Sequence, residues 1–236
     1  MWNGKMKAVT FSFDDGVQQD RRFVALLNKY GLRGTFNLCS ANLGYKSAPR
    51  DKNGVLVDYS KVDPHEIKEL YSGHEVASHT LAHPDLTKLS DDNVVRQVEE
   101  DRKMLSRLVG YEVVGFAYPF GAYDERVVRL LRERTGIKYA RAVGSPRPFD
   151  FCIDDPLVFQ PTVYFANVEE MMRRGREFIE MDAKTPQLMY VWGHTYQLDE
   201  GDTVRWEDFE KFCALISGRD DIFYGTNAEI LLAKEG

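Results

Sequence analysis

The chain is poor in cysteine. Its 236 residues include only Cys39, Cys152 and Cys213, an odd number, widely separated and without a Cys-x-x-Cys pair. That excludes a disulfide-stapled scaffold and a cysteine zinc site, and it fits three reduced, mostly buried thiols. No apolar run approaches the roughly 20 residues a membrane-spanning helix needs. Basic residues are not in excess: 31 Lys and Arg against 37 Asp and Glu give a net charge of −6, which argues against unassisted nucleic-acid binding. The opening residues, Met1 to Lys7, lack an apolar segment and a small-residue cleavage site. The chain as written therefore carries no signal peptide and reads as cytoplasmic, a trimmed export signal aside. Low-complexity tracts, linkers and internal repeats are also missing, which leaves a single domain over 1–236 as the expectation.

What remains is an ordinary globular composition, 43% hydrophobic and 29% charged, in a chain long enough to bury a sizeable core. Strand-like and helix-like segments alternate from end to end. Apolar runs predict strands at 7–13, 35–39, 75–78, 113–118, 139–143, 157–160, 187–192 and 222–224. Helical spacing predicts helices over 20–30, 63–72, 91–109, 124–134, 168–181, 206–216 and from 226 onward. Phe23, Leu26, Leu27 and Tyr30 mark the first helix and Gly31 its end, while Asp63-Pro64 gives the second an N-cap and a first-turn proline. Stretches 45–59 and 145–156 read as long exposed loops. Seven or eight βα units with short apolar strands imply an α/β fold whose parallel sheet closes into a barrel, with an open doubly wound sheet as the alternative.

Two stretches carry chemistry. Phe11-Ser12-Phe13-Asp14-Asp15-Gly16 ends one strand in paired carboxylates, and Ser78-His79-Thr80-Leu81-Ala82-His83-Pro84 follows another with two imidazoles four residues apart. Asp, His and His form a ligand set for a catalytic divalent metal that keeps positions open for water and substrate. A second, unliganded Asp is what a metal-assisted hydrolase needs as general base. Tyr118-Pro119-Phe120-Gly121 ends a third strand and His194 a fourth. Each feature alone has a plain structural explanation: a turn, a surface pair on a helix, an aromatic bend, a hydrogen-bonded core imidazole. In a parallel barrel, however, C-terminal strand ends share one rim, so four separate regions converge there. His65, near a helix start, reads as solvent-facing, and His74 as a structural hydrogen-bonding residue.

Phe13-Asp14-Asp15-Gly16, His79-x-x-x-His83, the Pro119-Phe120-Gly121 turn and the late His194 together resemble the polysaccharide deacetylases, the NodB-homology group or carbohydrate esterase family 4. The motifs run in family order over residues 7 to about 195. The resemblance implies a distorted (β/α)7–8 barrel and metal-dependent hydrolysis of N- or O-acetyl groups on a polysaccharide or oligosaccharide. It implies one divalent metal on Asp15, His79 and His83, zinc ahead of cobalt, nickel or iron. Asp14 matches the general base and His194 the general acid, with the Phe120 backbone N–H at the oxyanion and Tyr118, Pro119 and Trp192 beside the substrate. An acetylated carbohydrate is the implied partner, and Tyr123, Tyr164, Tyr196 and Trp206 are candidates to stack on it, half or more of them expected to be packing residues. An allantoinase-like amide hydrolase and an inactive carbohydrate-binding protein are the alternatives on the same scaffold.

Three departures from the family pattern matter. Where many members carry an arginine that pairs with the base aspartate, this chain has Ala117, and Arg141 at the end of the following strand is the expected substitute. The usual leucine two residues before the acid histidine is Trp192, which reshapes the acetyl pocket, stacks a sugar, or packs in the core. The motif whose aspartate tunes the acid histidine has no clear counterpart, which leaves Asp155 and Asp199 as candidates.

Overall fold

The structure, a computed structural model, describes residues 1–50, 54–144, 146–201 and 203–233. In chain order it forms β1 (Lys7–Asp14), α1 (Asp20–Lys29), β2 (Gly34–Leu38), α2 (Ile67–Leu70), β3 (Glu75–Ser78), α3 (Asp91–Val109), β4 (Gly115–Ala117), α4 (Glu125–Arg134) and β5 (Tyr139–Arg141). There follow β6 (Val163–Tyr164), α5 (Val168–Glu180), β7 (Gln187–Gly193), α6 (Gln197–Glu200), α7 (Trp206–Ile216), β8 (Ile222–Tyr224) and α8 (Asn227–Leu231). All the strand pairings are parallel, in the order β5-β4-β3-β2-β1-β7-β6, with β8 also on β1.

The central strand shows why the sheet curls. β1 is buried along its whole length, yet its residues alternate between two environments. Val9, Phe11 and Phe13 join the main apolar core, where Phe13 meets Phe23 and Phe11 meets Phe209 of the surrounding helices. Thr10, Ser12 and Asp14 point the other way and find polar partners in Asn227, Asn37 and Arg141. Strands covered on both faces suit a parallel barrel, whose interior is filled by side chains rather than left as a pore. Near its base, Glu75 accepts from Tyr139, Thr35 and the Ala228 N–H, so this buried carboxyl is fully engaged. Gly115 is needed here, because a Cβ would lie 2.1 Å from the Tyr139 hydroxyl.

The barrel is distorted where it closes. The predicted strand at 157–160 reduces to a single bridge, Phe159 beside Arg141, and the paired residues come later, in β6. Prolines 156 and 161 bracket the bridge and supply no N–H to extend a ladder. The helix expected over 63–72 is regular only in α2. Stretch 45–59 is more than an exposed loop. Its described parts pair back on themselves through Val57 N–H to Pro49 O, Tyr59 N–H to Ser47 O and Lys61 N–H to Tyr45 O. Residues 51–53 of this loop, and 145 of the other, lie outside the described residues. Cys39 and Cys213 are buried, Cys152 is exposed, and all three are free. Among the described residues no helix is long and apolar enough to cross a membrane.

Candidate active site

The strand ends deliver the predicted residues to one rim. Asp14, Asp15, His79, His83, Tyr118, Phe120, Trp192 and His194 all line a cavity of about 290 Å³, together with Gly121, Val143 and Tyr196. Pro119, between Tyr118 and Phe120, is buried and is not among the lining residues. His79 and His83 sit not on a helix but on a bend, with ring centroids 4.7 Å apart. Four of the six non-glycine residues with left-handed backbone among those described belong to this rim: Asp15 (φ 82), Thr80 (φ 70), His83 (φ 59) and Phe120 (φ 58). Such conformations cost about 1–3 kcal/mol each and persist where the surroundings enforce them, typically at functional sites. Thr80 repays part of its cost locally, since its Oγ1 accepts from the His83 N–H at 3.0 Å.

Asp15, His79 and His83 each offer a donor atom, and the three atoms lie within 4.8 Å of one another. His79 Nδ1 donates to the Ala117 carbonyl at 2.7 Å, which leaves the Nε2 lone pair for a ligand. Burial pulls the His79 imidazole down to about 4, against the opposing pull of Asp14 and Asp15, so the ring is neutral near pH 7. A carboxylate and two imidazoles, one of them with its tautomer fixed, fit a divalent cation of the zinc, cobalt, nickel or iron class. Lys61 Nζ stands 3.9 Å from Asp15 Oδ1.

Asp14 is buried and held on both oxygens. Its Oδ1 accepts from Asn37 at 2.8 Å and its Oδ2 from Arg141 at 2.5 Å, while His194 Nε2 and His79 Nε2 stand 3.8 and 4.0 Å from Oδ2. Burial pushes its carboxyl up, but Arg141, then the two imidazoles and Asn37, more than offset this and hold it below the usual range. Arg141 is itself fully buried, with its guanidinium 5.0 Å from the Trp192 ring centroid. Its place follows from register. Arg141 is the partner of Ala117 across β4 and β5, so both face the interior at one level, and the small alanine leaves room for the arginine to cross. Trp192 thus packs on Arg141 and, at 4.8 Å, on Tyr164, while still bordering the cavity.

Neither expected carboxylate reaches His194. Asp155 pairs with Arg132 at 2.6 Å and accepts from the Leu157 N–H, just before the bridging segment. Asp199 accepts from Gln19 and from the Trp206 indole, both at 2.8 Å. His194 Nδ1 is buried with no partner among the described residues. Of the aromatic candidates, Tyr196 lines the cavity and Tyr164 backs Trp192, whereas Tyr123 packs on Tyr118 and Trp206 lies under Arg22. His74 is structural, accepting from the Gly34 N–H, and His65 is exposed.

Several contributors were not anticipated. Asn37, the inward-facing amide of β2, holds Asp14, and an asparagine inside an otherwise apolar strand was the available signal. Tyr59 packs on Tyr196, a residue of the cavity wall, with ring centroids 4.3 Å apart, and its hydroxyl donates to Glu200. Asp101 of α3, fully buried, accepts from Ser78 and from the Ser40 N–H, tying β3 to the turn after β2.

A family model described as polysaccharide deacetylase matches residues 3–140. The peptidoglycan-N-acetylglucosamine deacetylase PgdA of Listeria monocytogenes is 37% identical over 123 residues, 51% of this chain and 23% of that protein. A peptidoglycan-N-acetylglucosamine deacetylase of Bacillus cereus is 24% identical over 129 residues, 53% of this chain and 41% of that one. The chain thus spans less than half the length of these relatives. A Mycobacterium smegmatis structure classed with the polysaccharide deacetylases superposes with a TM-score of 0.67 at 17% identity, covering 97% of this chain and 90% of the other, which establishes the shared fold.

Proposed function

The chain belongs to the polysaccharide deacetylase family, and from that premise we propose that it is a metal-dependent hydrolase removing N- or O-acetyl groups from a polysaccharide or oligosaccharide. The observation that carries the proposal is the juxtaposition, in one cavity, of a three-ligand cation site with a separate buried carboxylate and an imidazole. Asp15, His79 and His83 are the ligands. A divalent ion bound there supplies Lewis acidity, which lowers the pKa of a water from 15.7 toward about 7.

The chain's own residues do the rest. Asp14, ionised and held by Arg141 and Asn37, accepts the proton of the attacking water; its side chain is engaged from behind and keeps its orientation. The Tyr118–Ala122 turn uses the N–H groups of Gly121 and Ala122 for its own bonds, and the Phe120 N–H is left for the oxyanion. His194 Nε2, 3.8 Å from Asp14, delivers a proton to the departing sugar nitrogen or oxygen. Acid or base assistance of this kind is worth about 10²–10⁴ in rate.

Retention of all three ligands argues against a metal-free amide hydrolase of the allantoinase type. The Arg141–Asp14 pair argues against an inactive binding protein, since it supplies the charge that Ala117 lacks. The test is acetate release from a panel of acetylated saccharides, with metal-stripped protein compared with zinc- or cobalt-reconstituted protein. Metal-dependent acetate that disappears in Asp14→Ala and His79→Ala is the expected result. Stoichiometric metal with saccharide binding and no acetate would refute it in favour of a binding protein.

A further inference from the structure

Among the described residues no carboxylate binds His194 Nδ1; the Asp14 carboxylate stands on the other side of the ring, 3.8 Å from Nε2. Nδ1 is unpartnered, and the ring's neighbours are aromatic, Trp192 at 6.0 Å and Tyr196 at 5.3 Å between centroids. The residue that follows it is anchored instead. Thr195 is fully buried and its Oγ1 donates to Asp20 Oδ1 at 2.5 Å; the other oxygen of Asp20 accepts from the Tyr71 hydroxyl at 2.6 Å. Both hydroxyls thus bind the same buried carboxyl, one on each oxygen, which fixes its orientation. Asp20 stands in the first turn of α1, and its N–H donates to Val17 O, so the segment that carries Asp14 and Asp15 also carries the anchor.

We infer that Asp20, acting through the Thr195 hydroxyl, is the positioning residue that sets His194 against Asp14. Fixing the backbone one residue beyond His194 limits where its ring can lie, the orienting part of what a ring-bound carboxylate would do. The inference rests on His194 being the general acid of the proposed reaction. The step served is proton delivery. As the bond from the acyl carbon to the sugar nitrogen breaks, its electron pair goes to nitrogen, which takes the proton from His194 Nε2. Free amine, acetic acid and neutral imidazole result, with Asp14 holding the proton taken from the water; acetic acid then ionises to acetate.

An aryl acetate separates this role from general stability. The 4-nitrophenolate of 4-nitrophenyl acetate departs without a proton, so that ester reports on the site apart from the acid, whereas an N-acetylglucosamine oligosaccharide needs both. In the metal-loaded enzyme, Thr195→Val should lower kcat on the oligosaccharide about 10- to 100-fold with KM little changed. It should retain hydrolysis of 4-nitrophenyl acetate, and Thr195→Ser should restore the oligosaccharide rate. Parallel loss on both substrates, or retention of both, overturns the inference. If Thr195→Val shows no cooperative unfolding transition, Thr195→Ala carries the same two-substrate comparison. A native enzyme that releases no acetate from any saccharide sinks the deacetylase proposal and this inference together. A native enzyme active on both substrates whose variants respond in parallel sinks the inference alone.

Discussion

Replacing Arg141 with methionine should move the pH at which the enzyme switches on. Methionine fills much of the same space without charge, and the site is closed: Arg141 is 1% and Asp14 3% exposed. Burial alone raises the Asp14 carboxyl, and Arg141 is the largest of the groups that pull it back down. For unit charges about 4 Å apart at an effective dielectric of about 20, that interaction is worth ~4 kcal/mol. A bound divalent cation stabilises the same carboxylate, so the effect should be smaller in the loaded enzyme. Asp14 takes a proton only when ionised, so the acid limb of kcat/KM should move to higher pH. Stability follows the same sign. A depressed carboxyl contributes stability above its ordinary value of 3.8 and loses it as pH falls through the lower folded value. The variant should therefore be ~3 kcal/mol less stable at pH 7, with the deficit shrinking on acidification. Arg141→Lys should recover part of both effects. The assay is a pH–rate profile with metal content verified, alongside urea unfolding at pH 7 and at acid pH. An acid limb that stays in place in fully metallated Arg141→Met would refute Arg141 as the partner of Asp14.

Three other outcomes are expected. Zinc at about 100 times its dissociation constant should stabilise the metal-free protein by ~2.7 kcal/mol, and differential scanning fluorimetry should lose that shift in His79→Ala and Asp15→Ala. Gly193→Ala would put a Cβ 2.1 Å from the Phe165 ring, one residue before His194; a loss of ~3 kcal/mol and of most activity is expected, and a wild-type melting curve would contradict the packing described. Burial raises the Asp101 carboxyl to about 7, so its contribution to stability is full below 3.8 and is lost as pH rises through 7. Asp101→Asn should therefore gain on the native protein by up to ~4 kcal/mol between pH 4 and 8, and a pH-independent difference would show that the carboxyl is not perturbed.

Most of the site was legible before any coordinates because of one physical regularity. Short apolar runs alternating with helices predict a parallel barrel, and in such a barrel the C-terminal strand ends meet. That places Asp14, Asp15, His79, His83, Phe120 and His194 on one rim from strand assignment alone, and they line one cavity. Arg141 was legible for a related reason: it ends the strand next to Ala117, and register in a parallel ladder puts the two at one level facing one way. The strand predicted at 157–160 failed where prolines interrupt the ladder, since apolarity does not say which N–H groups are available.

The chain sequence by itself determined the alternation of elements, the chemical types at the strand ends and the family they belong to. Only the tertiary structure decided what lies behind those residues. Asp155 and Asp199 look equivalent in sequence as partners for His194, yet one is held by Arg132 and the other by Gln19 and Trp206, while the anchor of that segment is Asp20, 175 residues away in the chain. The packing of Tyr59 against Tyr196 is likewise a contact between distant parts of the chain. The reason is that a strand's period of two fixes where a side chain points, whereas outside regular structure direction is set by whichever distant groups pack against it.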